Sequence, residues 1–238
     1  MELKFLGKGS AFSKWTNTSA TYFEDNNLLL IDCGENVFSK ILALNLLNSK
    51  SEIYVFITHT HPDHVGSLGT LIFYQYFINN KKIKIVYNEN YSIKKDIIEL
   101  LNLMGCVKDY YEFINTNELL KIYQGFSKIE IFNVKHSLFL KSFALKFATK
   151  VGNIYFTGDT YDYDFIKSAL LDNQLDKIYM EATIYQEPAH LNIDKINKFI
   201  EDNSLEKLKQ KIYCMHLFDE NTVRYLNKLG FQIVNEYD

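Results

Sequence analysis

The chain has 238 residues, of which 47% are hydrophobic and 23% are charged. This length and balance suit a globular protein with a substantial core. No apolar run approaches the roughly 20 residues of a membrane-spanning helix, so we expect no membrane span. A formal net charge of −3 argues against a strongly basic protein, and we expect no binding to long nucleic acid.

The N-terminal segment and the cysteines bear on the compartment. Residues 1–7 are too short and too acidic a stretch for a signal peptide. The three cysteines, Cys33, Cys106 and Cys214, are odd in number and lack CxxC spacing, which favours reduced thiols over a disulfide framework. We therefore expect a cytoplasmic protein.

The first half of the chain is predicted to contain strands first and then strands that alternate with helices. Alternating or β-branched apolar runs predict strands over residues 3–7, 18–23, 27–33, 52–57 and 82–87. Apolar spacings of three and four residues predict helices over residues 38–47, 65–73 and 93–104.

The second half repeats this arrangement. Strands are predicted over residues 119–123, 128–134, 143–148, 153–156, 177–180, 211–215 and 231–234, and helices over residues 163–171, 193–201 and 222–229. Two halves that are each β-rich and then α/β predict an α/β fold with two packed mixed β-sheets and helices outside. We expect a single domain over residues 1–238.

A short stretch directly after the predicted strand 52–57 concentrates metal-binding side chains. Residues 58–64 read Thr-His-Thr-His-Pro-Asp-His, with three imidazoles and a carboxylate. His59 and His61, two residues apart at a strand end, can converge on one ion, and Asp63 and His64 after the turn can reach a second. The alternative is a polar loop whose histidines cluster by chance.

Further candidate ligands follow other predicted strands. His136, Asp159 and His216 each lie at the C-terminal end of a strand, on the same predicted rim as residues 58–64. Taken singly, each could be an ordinary surface or core residue, but their common placement favours one site. Asp32, also at a strand end, is either a loop residue or a carboxylate that steadies a ligand.

The HxHxDH pattern resembles the signature of the metallo-β-lactamase superfamily. The resemblance implies the αβ/βα sandwich of that superfamily and a site with two Zn²⁺ per subunit, with Mn²⁺ as the alternative metal. It assigns three ligands to the first metal: His59, His61 and His136. It assigns three to the second: Asp63, His64 and His216. Asp159 would bridge. Two cations about 4 Å apart stabilise charge in a displacement at phosphorus.

Other segments resemble the RNase Z-like branch of the superfamily: residues 7–12, 17–19, 30–34 and 157–160, and Glu181-Ala182-Thr183 followed by His190. In that branch the histidine corresponding to His190 helps to protonate the leaving oxygen, so His190 is a catalytic candidate. The alternative is a histidine that merely precedes a helix. Asp63 would orient the attacking water in addition to holding a metal.

The substrate class follows from a departure from the branch pattern. The tRNA-processing enzymes insert a long basic arm between the third histidine and the bridging aspartate, but only 22 residues separate His136 from Asp159. The chain is most similar to the anti-Pycsar family, which cleaves 3′,5′-cyclic nucleotide second messengers. This resemblance implies a dinuclear zinc phosphodiesterase acting on small diesters, in a homodimer whose partner subunit helps to close the site.

Three alternatives remain open at this stage. One is an RNA-processing endonuclease of the RNase Z type. Another is a hydrolase of carboxylic esters, thioesters or lactones, and the third is a module that keeps the fold without the chemistry.

Overall fold

The computed structural model describes residues 2–47, 52–89 and 93–237 and contains two six-stranded sheets. The strands of the first sheet follow chain order: β1 Lys4–Gly7, β2 Ser19–Glu24, β3 Asn27–Ile31, β4 Ile53–Phe56, β5 Ile83–Tyr87 and β6 Tyr111–Asn115. Strands β1 to β3 pair antiparallel, and β3 to β6 pair parallel.

The second sheet has the same plan. Its strands are β7 Lys128–Val134, β8 Ser142–Ala148, β9 Asn153–Phe156, β10 Leu175–Glu181, β11 Ile212–Met215 and β12 Gln232–Ile233. Strands β7 to β9 pair antiparallel, and β9 to β12 pair parallel. Each half of the chain therefore supplies one mixed sheet, built from three antiparallel strands followed by parallel ones.

Helices connect the parallel strands, as parallel pairing requires. Those of the described residues are α1 Val37–Ala43, α2 Pro62–Val65, α3 Leu68–Phe77, α4 Lys94–Leu103, α5 Thr116–Leu119, α6 Tyr163–Leu170, α7 Ile193–Asp202 and α8 Glu220–Lys228. Helix α7 illustrates why they form. Ile193, Ile196 and Ile200 lie on one buried face, and the Asn192 side chain accepts a hydrogen bond from the backbone N–H of Asp194.

Aromatic side chains pack the two sheets against each other. Phe5 of the first sheet and Phe156 of the second have ring centroids 6.2 Å apart, and Phe56 meets Phe147 edge-on at 6.2 Å. All four are fully buried, so this layer contributes strongly through the hydrophobic effect. The predicted α/β sandwich of two mixed sheets is confirmed. A single domain over residues 1–238 stays a prediction.

One predicted strand is wrong. Residues 119–123 do not form a strand, because Asn115 and Glu118 form a capping box that starts helix α5, which ends at Leu119. Leu119 and Tyr123 are both buried, at the helical spacing of four residues. The strand of this region is β6, which the sequence pattern did not reveal, and a 3₁₀-helix at Glu206–Lys211 was likewise not predicted.

The first helix ends before its predicted end. Helix α1 was expected over residues 38–47, but it ends at Ala43, and Asn45 has a left-handed φ of 54°. Asparagine tolerates this conformation, which cannot continue a right-handed helix. Among the described residues, none of the helices has the length and apolar character needed to span a bilayer.

Candidate metal centre

The C-terminal ends of strands from both sheets meet at one edge of the sandwich and bring the sequence-predicted residues together. His59, His61, Asp63 and His64 follow β4, and the remaining side chains follow strands of the second sheet: His136, Asp159 and His216. All seven predicted ligands lie in two adjoining clusters, and the eighth site residue, His190, lies beside them.

The trihistidine cluster consists of His59, His61 and His136. The Nε2 atom of His59 lies 3.0 Å from Nδ1 of His61, and Nε2 of His136 lies 3.1 Å from that same Nδ1. Burial lowers the pKa of all three imidazoles, which favours the neutral form that binds metal. The Nδ1–H of His136 donates to the backbone carbonyl of Ala189 at 2.9 Å, so its Nε2 lone pair faces the cluster.

The mixed cluster consists of Asp63, His64, Asp159 and His216. Nε2 of His216 lies 3.1 Å from Oδ2 of Asp63 and 3.1 Å from Oδ2 of Asp159. Burial opposes ionisation of both aspartates, but their histidine neighbours hold each pKa well below its usual range. Both side chains are therefore carboxylates, the form that binds a cation.

Asp159 lies between the two clusters. Its Oδ2 is 3.9 Å from Nε2 of His59 and 3.8 Å from Nε2 of His136, in addition to its short contact with His216. The side chain is only 2% exposed. One carboxylate therefore faces both sets of imidazoles, as a bridging ligand must.

The donor atoms fit divalent metal ions. Nε2 of His64 and Oδ1 of Asp159 are buried 3.4 Å apart without a well-formed hydrogen bond, and a cation beside them would satisfy both. The nitrogen–nitrogen distances of 3.0 and 3.1 Å in the trihistidine cluster come near the edge, about 3.3 Å, of a tetrahedron with Zn–N bonds of about 2.0–2.1 Å. Imidazole and carboxylate donors in this number suit zinc and related ions.

Asp32 supports the mixed cluster from behind. It is fully buried, and its Oδ2 accepts a hydrogen bond from Nδ1–H of His64 at 2.8 Å. Its Oδ1 accepts the backbone N–H of Thr58 at 2.7 Å. These bonds direct Nε2 of His64 into the cluster, so of the two interpretations of Asp32 the geometry favours the carboxylate that steadies a ligand.

Two ligand-bearing loops require left-handed backbone. Gly158, directly before Asp159, has φ of 57°, and a Cβ there would lie 2.8 Å from the carbonyl oxygen of Phe143. His216 also has φ of 57°, and its backbone N–H donates to Oγ1 of Thr18 at 2.9 Å. The strain at a non-glycine residue of this kind is typical of functional sites.

Glu181, which the sequence analysis named in the Glu-Ala-Thr segment without giving it a role, lies beside His190. It ends β10, is 1% exposed, and accepts a hydrogen bond from Nδ1–H of His190 at 2.6 Å and another from the backbone N–H of Thr160. Although burial opposes the shift, Glu181 raises the pKa of His190 to about 9, so this imidazole is protonated near neutral pH. The available signal was the Glu-Ala-Thr segment at a predicted strand end.

Two cavities open beside the metal centre. The metal-side cavity, about 370 Å³, is lined by ligands of both clusters, including His61 and Asp63. The side cavity, about 210 Å³, has Glu181 and Thr183 in its wall. Four residues line both: Ala11, Phe12, His190 and His216. The imidazole of His190 therefore stands where the two cavities join.

Known proteins share this fold and parts of this sequence. The family model described as anti-Pycsar protein Apyc1 matches residues 1–236. The Apyc1 protein of Bacillus phage 010DV004 is 26% identical over 260 residues, covering 97% of this chain and 93% of the relative. The ribonuclease Z of Methanocaldococcus jannaschii is 34% identical over 131 residues, covering 54% of this chain and 38% of that protein.

The fold resembles that of a solved bacterial protein. The metallo-β-lactamase fold protein YhfI from Bacillus subtilis superimposes with a TM-score of 0.69 at 17% identity, covering 99% of this chain and 95% of YhfI. The family match and the histidine–aspartate clusters together support a metal-dependent hydrolase. The chain belongs to the anti-Pycsar Apyc1 family and has the metallo-β-lactamase fold.

Proposed function

We propose that the protein is a dinuclear zinc phosphodiesterase that hydrolyses small phosphodiesters, above all 3′,5′-cyclic nucleotides. The observation that carries this proposal is the meeting of two metal-binding clusters at Asp159, with the protonated imidazole of His190 beside them. Family membership supports the choice of cyclic nucleotides.

The chain offers a complete set of ligands for two ions. His59, His61 and His136 would hold one, and Asp63, His64 and His216 would hold the other, with Asp159 shared between them; Mn²⁺ is the alternative to Zn²⁺. When bound, the two ions supply positive charge that stabilises the phosphoryl oxygens and lowers the pKa of water.

Two side chains of the chain itself position the water and supply a proton. Hydrolysis forms a bond between a water oxygen and phosphorus and breaks the bond from phosphorus to the 3′ oxygen; the water releases a proton to the solvent, the 3′ oxygen gains one, and the product is a nucleoside 5′-monophosphate. Asp63, whose carboxylate lines the metal-side cavity, orients the attacking water. His190 donates its Nε2 proton to the departing 3′ oxygen, because its Nδ1–H is already engaged by Glu181.

The dimensions of the site favour a small substrate over tRNA. Strands β8 and β9 take up much of the chain between His136 and Asp159, which leaves no room for an inserted arm. The metal-side cavity of about 370 Å³ is within the range of small-molecule pockets, about 300–1,000 Å³. A net charge of −3 also disfavours a long polyanion.

An RNA-processing endonuclease is the second candidate. The likeness to the ribonuclease Z of M. jannaschii over half of this chain favours it. The short connection between His136 and Asp159 weighs against it, since no segment is available to grip the body of a tRNA.

Assembly and compartment belong to the same proposal. Family membership supports a homodimer in which the partner subunit helps to close the site. Light scattering would test the dimer, which should have the mass of two chains in solution. The cysteines Cys33, Cys106 and Cys214 are free and buried, which supports a reducing, cytoplasmic setting.

The test is a hydrolysis panel with metal analysis. The substrates are cyclic CMP, UMP, AMP and GMP, bis-p-nitrophenyl phosphate and a precursor tRNA, each offered to the wild type and to Asp159→Ala and His190→Ala. We expect hydrolysis of cyclic nucleotides to be lost in both variants, with the zinc content preserved only in His190→Ala. Cleavage of precursor tRNA alone would favour the second candidate, and turnover without bound metal would overturn both.

A further inference from the structure

Two exposed phenylalanines flank the side cavity. Phe12 is 91% exposed and Phe218 is 44% exposed, although both line a concavity whose other walls include His190 and His216. A large aromatic surface exposed in a concave site is typical of ligand binding, because covering apolar surface with a ligand removes it from water, which is favourable. Phe12 also lines the metal-side cavity, so this residue is shared by the metal-side cavity and the side cavity.

Backbone pairing places the two segments that carry these rings side by side. The N–H of Leu217 donates to the carbonyl of Lys8 at 2.7 Å, and the N–H of Ser10 donates to the carbonyl of Leu217 at 3.1 Å. The segment that carries Phe12 therefore runs alongside the segment that carries Phe218 and, two residues earlier, the ligand His216.

The Phe218 ring is held in place, whereas the Phe12 ring is open. Tyr185 meets Phe218 edge-on, with centroids 5.7 Å apart and planes at 89°. The hydroxyl of Tyr185 donates to Oδ2 of Asp219 at 2.7 Å, and Oδ1 of Asp219 in turn caps helix α8. The side cavity is thus lined by one aromatic ring held in place and by a second, exposed ring in a turn.

We propose that Phe12 and Phe218 form an aromatic clamp that stacks on the nucleobase of the substrate. This inference rests on the proposed function. The leaving oxygen is a ribose atom, so the ribose must lie beside His190, and the base attached to that ribose then extends into the side cavity. Among the residues that line the side cavity, these two are the only phenylalanine, tyrosine or tryptophan side chains, and the imidazoles of His190 and His216 are the other rings.

The clamp specifies an aromatic base without selecting one base strongly. Every nucleobase has a π-face, so stacking contributes to the binding of all four. The polar groups available for reading base edges are few. They are Ser10, Thr183 and Glu187, and Oε2 of Glu187 lies 3.9 Å from Nε2 of His190. We therefore expect all four cyclic nucleotides to be hydrolysed, with differences mainly in KM.

The experiment compares a nucleotide with its base-free counterpart. The substrates are cyclic AMP and 1-deoxyribose 3′,5′-cyclic phosphate, which keeps the cyclic diester and lacks the base. The measured quantity is the ratio of kcat/KM for the two substrates, in the zinc-loaded wild type and in Phe12→Ala, Phe218→Ala and Phe12→Trp. The matched control is Phe77→Ala, an exposed phenylalanine at the end of α3, about 13 Å along that helix from its start.

We expect the ratio to fall about 5- to 160-fold in Phe12→Ala and Phe218→Ala, which corresponds to the loss of one aromatic–base stack. Phe12→Trp should keep the ratio within about threefold of the wild type, because a larger ring still stacks. Zinc content and melting temperature, measured for each variant, show whether the Phe218 substitution has disturbed His216.

Three results would overturn the clamp, and they are distinguishable. An unchanged kcat/KM on each of the two substrates in both alanine variants would remove the rings from base recognition. An equal loss on both substrates would mean that the rings act in folding or against a second subunit, and light scattering would identify the latter. A wild type that hydrolyses both substrates equally well would leave the proposed function standing without a clamp, whereas one that hydrolyses neither would overturn the proposed function itself.

Discussion

His190, which is partly buried, and Glu181, which is fully buried, form a pair in which Nδ1–H of the imidazole donates to Oε2 of the carboxylate at 2.6 Å. The bond fixes the orientation of the ring and leaves Nε2 free of Glu181. The His190 ring also stacks on His216, with centroids 5.2 Å apart and planes at 22°. A proton donor is thereby held against the metal centre by contacts on two sides.

The first prediction concerns the charge of this pair. Replacing Glu181 by glutamine removes the carboxylate that raises the pKa of His190 to about 9. A general acid must be protonated to act, so the lower pKa should move the alkaline limb of the kcat profile to lower pH. We also expect kcat at pH 8 to fall about 10- to 100-fold.

The measurement is kcat against pH for the wild type and for Glu181→Gln, with Glu99→Gln as the control, since Glu99 is exposed on helix α4. A uniform loss of activity with no movement of the alkaline limb would show that Glu181 acts only in folding.

The second prediction concerns the support of His64. In Asp32→Asn the acceptor for Nδ1–H of His64 becomes an amide, and the ring loses its fixed tautomer. Asparagine tolerates the left-handed φ of 63° at this position, so the fold should persist. We expect zinc affinity at the mixed cluster to fall about 10- to 100-fold while the trihistidine cluster keeps its ion.

Titration of the metal-free protein with zinc against a chelating dye would separate the two binding steps. Asp109→Asn, at an exposed position, is the control for a change of charge alone. Equal weakening of both steps would contradict a local role for Asp32.

The third prediction concerns the close approach at Gly158. In Gly158→Ala a Cβ would lie 2.8 Å from the carbonyl oxygen of Phe143, and the residue would keep a left-handed φ of 57°. Gly230→Ala is a matched control, because its φ is also positive, at 86°, but its nearest neighbour would be the Lys209 side chain at 3.9 Å.

Left-handed strain alone costs about 1–2 kcal/mol. We expect Gly230→Ala to lose that amount in the free energy of unfolding and Gly158→Ala to lose at least about 1 kcal/mol more. Urea denaturation followed by circular dichroism measures both. Equal losses of unfolding free energy in the two variants would mean that the backbone of strand β8 at Phe143 can shift to accommodate the added Cβ at little cost.

The fourth prediction concerns stability and pH away from the metal centre. Asp172 accepts hydrogen bonds from the hydroxyl of Tyr155 at 2.6 Å and from Nδ2 of Asn153 at 2.7 Å. Although burial opposes the shift, these bonds lower the pKa of Asp172 in the folded state. The stabilisation is therefore present above the unfolded pKa, about 3.9, and is lost as pH falls toward the folded pKa.

In Asp172→Asn we expect a loss of about 1 kcal/mol in the free energy of unfolding at pH 7, a value that allows for solvent screening. The difference from the wild type should shrink between pH 4 and pH 3. Denaturation at a series of pH values, with Asp109→Asn as the control, measures it. If the difference in the free energy of unfolding stayed constant down to pH 3, the stabilisation would come from packing and not from the charge of Asp172.

The sequence predicted which residues meet at this edge of the sandwich more completely than it predicted the outer strands. Four of the predicted ligands follow one buried strand within a few residues: His59, His61, Asp63 and His64. Residues this close in sequence form a motif that can be recognised without knowing the fold. Glu181 was not recognised, because a buried glutamate has meaning only through the histidine that it meets in space.

The same distinction explains the errors in the first sheet. Strand β6 lies at the edge of its sheet and has one buried residue, Tyr111, so its apolar alternation is weak. The segment after it has buried residues that resemble a strand, but Asn115 and Glu118 start a helix there. A cap of two polar residues therefore overrides a pattern of apolar ones.

The ligands are divided between the two halves of the chain. The first half contributes His59 and His61 to the trihistidine cluster, and the second half contributes His136. The mixed cluster is divided in the same way. Neither sheet carries a full set of donors. An ion bound in either cluster would therefore be held by ligands from both sheets and would connect them. Neither half-chain alone could bind an ion as the whole chain does. Metal uptake thus reports that both halves have folded and met.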